Sequence, residues 1–256
     1  MENKPKRTRK ELRGAIIGMV LGDGSLYQHR FRDGEYKGNY VLDISHCAKQ
    51  LPYLEWKKDI VQDLFNYPLP IRQRMISNKR TGKTYKAFRL QTRVSPRFKF
   101  ITKNIFIDGK KRITEWALEN ITVEGLAIWW MDDGCLYKAK NGHGGGIMNF
   151  GVYGYPKEDV ERLQHWLSEK FNINLRISKN SKSGLFLRRG LSEGAKLFDL
   201  ISPYIAPSME YKVEYKDAFK NKKNFSLSTS LEVDRDYWYS SRPLLKKEGD
   251  EIVRAM

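Results

Sequence analysis

Two aspartates stand in matched surroundings. Ile16-Ile17-Gly18-Met19-Val20-Leu21-Gly22-Asp23-Gly24 and Leu126-Ala127-Ile128-Trp129-Trp130-Met131-Asp132-Asp133-Gly134 each read as an apolar helical stretch closed by Asp-Gly. A carboxylate at a helix C-terminus faces the negative pole of the macrodipole, which costs about 0.3–1 kcal/mol, and glycine is the usual residue that ends such a helix. Folding alone gives little reason to put Asp23 and Asp133 there. If the helices lie parallel and side by side, two carboxylates and two helix ends gather negative charge, and a bound cation is expected to make this tolerable. Oxygen ligands of this kind suit Mg²⁺, which keeps several waters and needs few protein donors. Asp132 competes with Asp133 for the second place. Asp133 is the acid immediately before the glycine, as Asp23 is, so Asp23 and Asp133 are the expected ligands, with Gly22 and Asp132 beside them.

The elements that position these acids repeat. Ser25-Leu26-Tyr27 matches Cys135-Leu136-Tyr137. The strand-like Tyr40–Ser45 matches Ile147–Tyr153, and the helical patterns Pro52–Phe65 and Lys157–Phe171 correspond. Ile71–Ile76 then pairs with Ile173–Ile177, Ala87–Arg93 with Leu185–Arg189, and a last helix Pro96–Phe106 with Ser192–Ile205. Turn-rich segments at Arg32-Asp33-Gly34, 78–83, 141–146 and 180–184 read as hairpin loops. The order in each half is helix, two strands, helix, two strands, helix: an α+β chain of two αββαββα units. The expected division is a basic arm 1–12, halves 13–113 and 114–216, and a polar tail 217–256. Gly14, Gly18 and Gly22 recur every four residues and would let a partner backbone come close. The second copy has Glu124, Ile128 and Asp132 in those places, so symmetric packing is not expected there.

The 256 residues carry 47 Lys and Arg against 30 Asp and Glu, a net charge of +17. Such a field most often serves a polyanion, and nucleic acid is the first choice. The apolar runs are far shorter than the roughly 18 residues of a membrane span, and no signal peptide is evident, so a soluble intracellular protein is expected. Cys47 and Cys135 cannot make a disulfide framework or a cysteine-rich zinc site. His29, His46, His143 and His165 lack metal-site spacing. Gly82-Lys83-Thr84 has Ser77 where a phosphate-binding loop needs its first glycine. His143-Gly144-Gly145-Gly146 has no nucleophile elbow to accompany it.

The paired motifs, their separation and the shared element order resemble the LAGLIDADG homing endonucleases, in the form that carries two motifs on one chain. The resemblance covers about residues 12–216. It implies two pseudo-symmetric halves joined through the motif helices, with antiparallel sheets forming a saddle over double-stranded DNA. It also implies a monomer that hydrolyses phosphodiesters at a long asymmetric site, with Mg²⁺ as cofactor, Mn²⁺ as a substitute and Ca²⁺ as an ion that binds without cleavage. It marks one lysine after the last helix of each half as catalytic: Lys111, with Lys110 one register step away, and Lys212. The alternative is an intron-splicing maturase or a non-cleaving nucleic-acid binder on the same fold, with intron RNA as partner.

Base contacts are expected from strand positions on one sheet face. These are Arg72, Arg74, Arg89, Gln91 and Arg93 in the first half, and Asn174, Arg176, Ser178 and Arg188 in the second. Lys79, Lys83 and Lys86 are expected on phosphates, as is the basic arm from Lys4 to Lys10.

Overall fold

The computed structural model describes residues 6–30, 36–78, 81–138, 146–180 and 184–214. Lys79, the tail from 217 and the first residues of the basic arm lie outside these. Helix α1 (Arg9–Leu21) starts within the expected arm, because Thr8 and Glu11 cap it reciprocally: each backbone N–H donates to the other's side chain. Arg7 does not reach outward. Its guanidinium holds Glu124 at 2.9 Å and Asp63 at 3.4 Å, so this part of the arm is spent on protein carboxylates.

The chain then runs through β1 (Ser25–Arg30), β2 (Tyr36–Cys47), α2 (Leu51–Gln62), β3 (Ile71–Ser77), β4 (Thr84–Gln91) and α3 (Lys99–Ile105). A two-stranded hairpin, β5 (Phe106–Ile107) with β6 (Lys110–Lys111), and a short helix α4 (Glu115–Asn120) lead to the second half. There α5 (Val123–Asp133), β7 (Gly134–Lys138), β8 (Gly146–Phe150), α6 (Lys157–Phe171), β9 (Arg176–Asn180), β10 (Gly184–Gly190) and α7 (Leu191–Ile201) repeat the first order. The sheets have identical topology, β1-β2-β4-β3 and β7-β8-β10-β9, antiparallel throughout. The predicted helix Pro96–Phe106 opens instead with a 3-10 turn over Pro96–Phe98, where proline and the Ser95 side chain start the turn. Helix α4, capped by the Thr114 hydroxyl, was not expected.

Alternation along the strands decides which face is covered. Leu26, Leu42, Ile44 and Leu90 of the first sheet, and Met148, Phe150 and Leu187 of the second, turn inward onto the helices and join one continuous core. At its centre α1 and α5 lie nearly backbone to backbone. A Cβ on Gly18 would stand 1.9 Å from the Gly125 carbonyl oxygen, and one on Gly125 2.1 Å from that of Gly14. The four-residue glycine period thus does what its spacing suggests, and the contact is asymmetric as expected. Gly24 and Gly134 differ from the expectation. Gly134 is extended (φ −79°, ψ 148°) and α1 is capped by Gly22, so neither of the two is a left-handed stop. Glycine is needed there for room: a Cβ would meet the Met19 carbonyl oxygen at 2.6 Å in one case and the Trp130 ring at 2.3 Å in the other.

The connection between halves is anchored by a carboxylate. Asp159 on α6, fully buried, accepts from the Arg112 guanidinium at 2.8 and 2.9 Å, the Ile113 N–H at 2.8 Å and Arg162 at 2.9 Å. These bonds hold its pKa below the usual range despite burial, which pushes it up.

Two stability predictions follow from these contacts. Gly18→Ala is expected to cost at least about 3 kcal/mol in denaturant unfolding, because its methyl must displace backbone rather than a flexible side chain. Asp159→Ala is expected to cost about 3 kcal/mol at pH 7. A lowered folded-state pKa means that this contribution is complete above the unfolded value of about 3.9 and is lost as pH falls through the folded value. Unfolding curves of the wild type and Asp159→Ala should therefore converge in acid.

Candidate active site at the paired helix ends

The C-termini of α1 and α5 deliver Asp23, Asp132 and Asp133 to one place, and each sheet's first strand departs from there, at Ser25 and Gly134. All three carboxylates act on the Lys111 and Lys212 ammonium groups, raising pKa values that desolvation has lowered. Lys111 Nζ donates to the Gly22 and Gly24 carbonyls at 3.0 and 3.1 Å. Lys212 Nζ donates to the Met131 carbonyl. Each lysine therefore closes the end of one motif helix, where cations belong. Lys110 is exposed, which separates it from Lys111. The sequence argument that only a bound cation could make the acids tolerable is corrected by these contacts. Lys57, Lys111 and Lys212 set three ammonium groups among three aspartates, so folding does not require an ion.

The three aspartates are not alike. Asp23 has a side chain 45 % exposed, and Asp133 accepts from the Trp129 indole N–H at 3.3 Å. The Asp132 side chain is fully buried. Its Oδ1 accepts from Lys57 Nζ at 2.6 Å and the Tyr53 hydroxyl at 2.9 Å, and its Oδ2 accepts from the Asp23 N–H at 3.1 Å. Lys57 Nζ also lies 3.1 Å from His46 Nε2, so His46 accepts there and presents Nδ1–H to Gln50 Oε1 at 3.2 Å. Burial, with the Lys57 ammonium beside it, pushes His46 down to about 3, and the ring is neutral. Asp23, His46 and Asp132 offer ligand atoms within 4.8 Å of one another. Hydrogen bonds engage the His46 nitrogens and both Asp132 oxygens; the carboxylates of Asp23 and Asp133 are oxygen donors of the hard kind that suits Mg²⁺. The Gly22 carbonyl beside them already accepts from Lys111.

His46, Tyr53 and Lys57 were not anticipated from the sequence. One signal was present: Lys57 falls on the buried stripe of α2 formed by Tyr53, Leu54, Ile60 and Val61, where a lysine requires a carboxylate from elsewhere.

The open sheet faces carry most of the expected DNA contacts. Cross-strand pairing puts Arg72, Arg74, Arg89 and Gln91 on one face, and Arg176, Ser178 and Arg188 on the matching face of the second sheet. Arg72, Arg74, Arg89 and Gln91 line a shallow cleft with Pro70 and Gln73. Arg89 is tied down, its Nε and Nη2 on the Asp43 carboxylate at 2.6 and 2.5 Å with Tyr27 beside them, so the fork suited to guanine is filled by Asp43. Three expected residues point elsewhere. Arg93 lies past the end of β4 and stacks on Tyr67 at 4.2 Å. Lys86 shares the helix-side face with Phe88, its ammonium 5.3 Å from that ring. Asn174 precedes β9 and bonds Ser168 and Asn172. Lys83 is exposed in the hairpin turn.

Known proteins resemble this chain in sequence and fold. The solved homing endonuclease I-WcaI, bound to its DNA recognition sequence, is 26 % identical and superimposes with a TM-score of 0.67, covering 80 % of this chain and 87 % of that one. Protein RecA of Mycolicibacterium flavescens is 28 % identical over 221 residues, 83 % of this chain and 48 % of that protein. The cytochrome b mRNA maturase bI2 of Debaryomyces hansenii is 28 % identical over 221 residues, covering 82 % and 76 %; that of Saccharomyces cerevisiae is 30 % identical over 208 residues, covering 77 % and 46 %. The chain spans about half the length of the first of these curated relatives. The family model for LAGLIDADG DNA endonucleases matches residues 13–198, and with both motif helices and both sheets in place, the chain belongs to that family.

Proposed function

We propose that this protein is a site-specific endonuclease that cuts both strands of duplex DNA with a divalent cation, Mg²⁺ by the chemistry of its donors. The observation that carries the reading is the convergence of Asp23 and Asp133, one from each half, with a lysine closing each helix end. Mg²⁺ held by these carboxylates would neutralise phosphate charge and lower the pKa of a bound water. The protein's own groups do the rest. Asp23 and Asp133 place hard oxygens where two strands of a duplex can each present a phosphate. Lys111 gives two of its three N–H groups to Gly22 and Gly24, which fixes the ammonium and leaves one N–H for a phosphate oxygen or an attacking water. Lys212 occupies the corresponding place at the other helix end. Halves 13–113 and 114–216 each contribute one acid, one lysine and one sheet, so the active unit is a single chain.

Arg72, Arg74, Arg176, Ser178 and Arg188 are proposed to face the bases, with Arg89 and Gln91 held through Asp43 and Tyr27 as an oriented part of the same surface. A second reading has support in the maturase relatives: intron RNA binding by the same basic chain. Retention of both aspartates favours cleavage, since a carboxylate near phosphate opposes binding unless a metal joins them.

Selection from a randomised duplex pool in Mg²⁺, and separately in Ca²⁺, tests the proposal. Cut products in Mg²⁺ and intact bound duplex in Ca²⁺ are expected, and a pool bound but never cut under Mg²⁺ or Mn²⁺ would leave only the binding function. On the selected site, Asp23→Asn and Asp133→Asn are each expected to lower double-strand cleavage by at least about 10²-fold while duplex affinity in Ca²⁺ stays within about threefold. Arg74→Ala should relax discrimination at one base pair by about 1–3 kcal/mol, whereas Lys83→Ala should weaken all variants alike and reduce the salt slope by about one. Competitive binding against single-base variants at several salt concentrations distinguishes the two.

A further inference from the structure

Among the described residues, the side chains beneath Asp23 are not repeated at the matched positions beneath Asp133. Matching Ile44 of β2 with Phe150 of β8, each opposite an inward leucine of the next strand, puts His46 at the place of Val152. Matching Phe65 with Phe171 lays the buried stripe of α2 on that of α6: Leu54 on Val160, Val61 on Leu167, Lys57 on Leu163 and Tyr53 on Asp159. Val152 and Leu163 are fully buried and apolar, and Asp159 is committed to Arg112, Ile113 and Arg162. Opposite this second set, in the place that Asp132 holds in the second motif, the first motif has Gly22. Among the described residues, the buried set of Lys57, His46, Tyr53 and Asp132 is therefore not repeated at the matched positions of the second half, where Asp133 has the Trp129 indole and the nearby Tyr155 phenol instead.

The asymmetry is steric as well as polar. A Cβ on Gly22 would stand 2.4 Å from Asp132 Oδ2, so the carboxylate occupies the room that the glycine vacates. From there it takes the Asp23 N–H at 3.1 Å, while Lys57 at 2.6 Å and Tyr53 at 2.9 Å hold its other oxygen. Tyr53 is itself pinned by the Ile128 carbonyl at 3.2 Å and by the Lys57 ammonium 4.3 Å from its ring centre. His46 takes Lys57 from the far side. Removing two charges from water is costly unless geometry and hydrogen bonds are good, and the fully buried pair has Tyr53, His46 and the Asp23 amide around it.

We propose that Asp132, held by Lys57 and Tyr53, is a positioning residue for Asp23 and not for Asp133, so that the two strand cuts depend on it unequally. The inference rests on the endonuclease reading above. A displacement of about 1 Å in a ligand-bearing backbone can change a rate by up to roughly 10²-fold. Losing the anchor therefore slows the strand served by Asp23 and spares the other.

Single-turnover cleavage with both strands separately labelled tests it in Asp132→Asn, which keeps an acceptor for Lys57 but offers the Asp23 N–H a poorer partner. The double variant Lys57→Leu with Asp132→Gly, which copies the residues of the opposite arrangement, is the second test. Expected is a shift of at least about tenfold in the ratio of the two strand rates, with nicked duplex accumulating. A metal-free readout accompanies it. Amide exchange at Asp23 should quicken by at least about tenfold in either variant, while that of Gly24, bonded to the Met19 carbonyl at 2.7 Å, holds. Equal slowing of both strands, an unchanged ratio, or an Asp23 amide as slow as in the wild type overturns the proposal and leaves the endonuclease reading standing. A wild-type protein that cuts no selected duplex overturns that reading and this one with it.

Discussion

The rest of the structure depends on how closely two helix backbones approach. With Gly14 and Gly18 on α1 facing Thr122 and Gly125 at α5, main chain meets main chain where side chains would ordinarily hold helices 8–10 Å apart, and the cap Gly22 makes room for Asp132. This proximity fixes the distance between the two motif ends, and with it the place where the acids, the capping lysines and the first strands of both sheets converge. Apolar burial around the seam, from Ile17 and Met19 on one side to Trp129 and Trp130 on the other, stabilises the contact. The glycines decide its geometry.

That geometry also explains how charge is managed in a cationic protein. Lys111 and Lys212 arrive from beyond the last helix of each half and turn back onto the carbonyls of the motif helices. They satisfy acceptors that helix ends leave open and bring positive charge to the negative pole. A sequence argument built on the acids alone counts the repulsion and omits this answer, because nothing local to Asp23 or Asp133 announces a lysine so far along the chain.

Period and repetition were the legible parts of the sequence. The element order, the strand alternation that sends Leu90 inward and Arg89 outward, and the extent of α6 could be read because burial on one face imposes a fixed spacing. Thr114 and its helix α4 were missed, since six residues between two longer elements make no periodic signal. At the site, Asp23 and Asp133 were legible through duplication, and Lys111 and Lys212 were pointed to by the family resemblance. What duplication hides is difference: Asp132 opposite Gly22, Lys57 opposite Leu163, His46 opposite Val152. The ties that keep Arg89 on Asp43, Arg93 on Tyr67 and Asn174 on Ser168 are likewise side-chain choices that strand alternation cannot foresee.

Gly22 and Asp132 also bear on whether either half could stand twice in one molecule. A dimer made of two first halves would set glycine against glycine and leave each copy's Lys57 without Asp132, while one made of two second halves would crowd two Asp132 carboxylates together with neither Lys57 nor Tyr53 to hold them. The two halves are therefore not interchangeable at the seam, whose fit depends on the residues beneath it on α2.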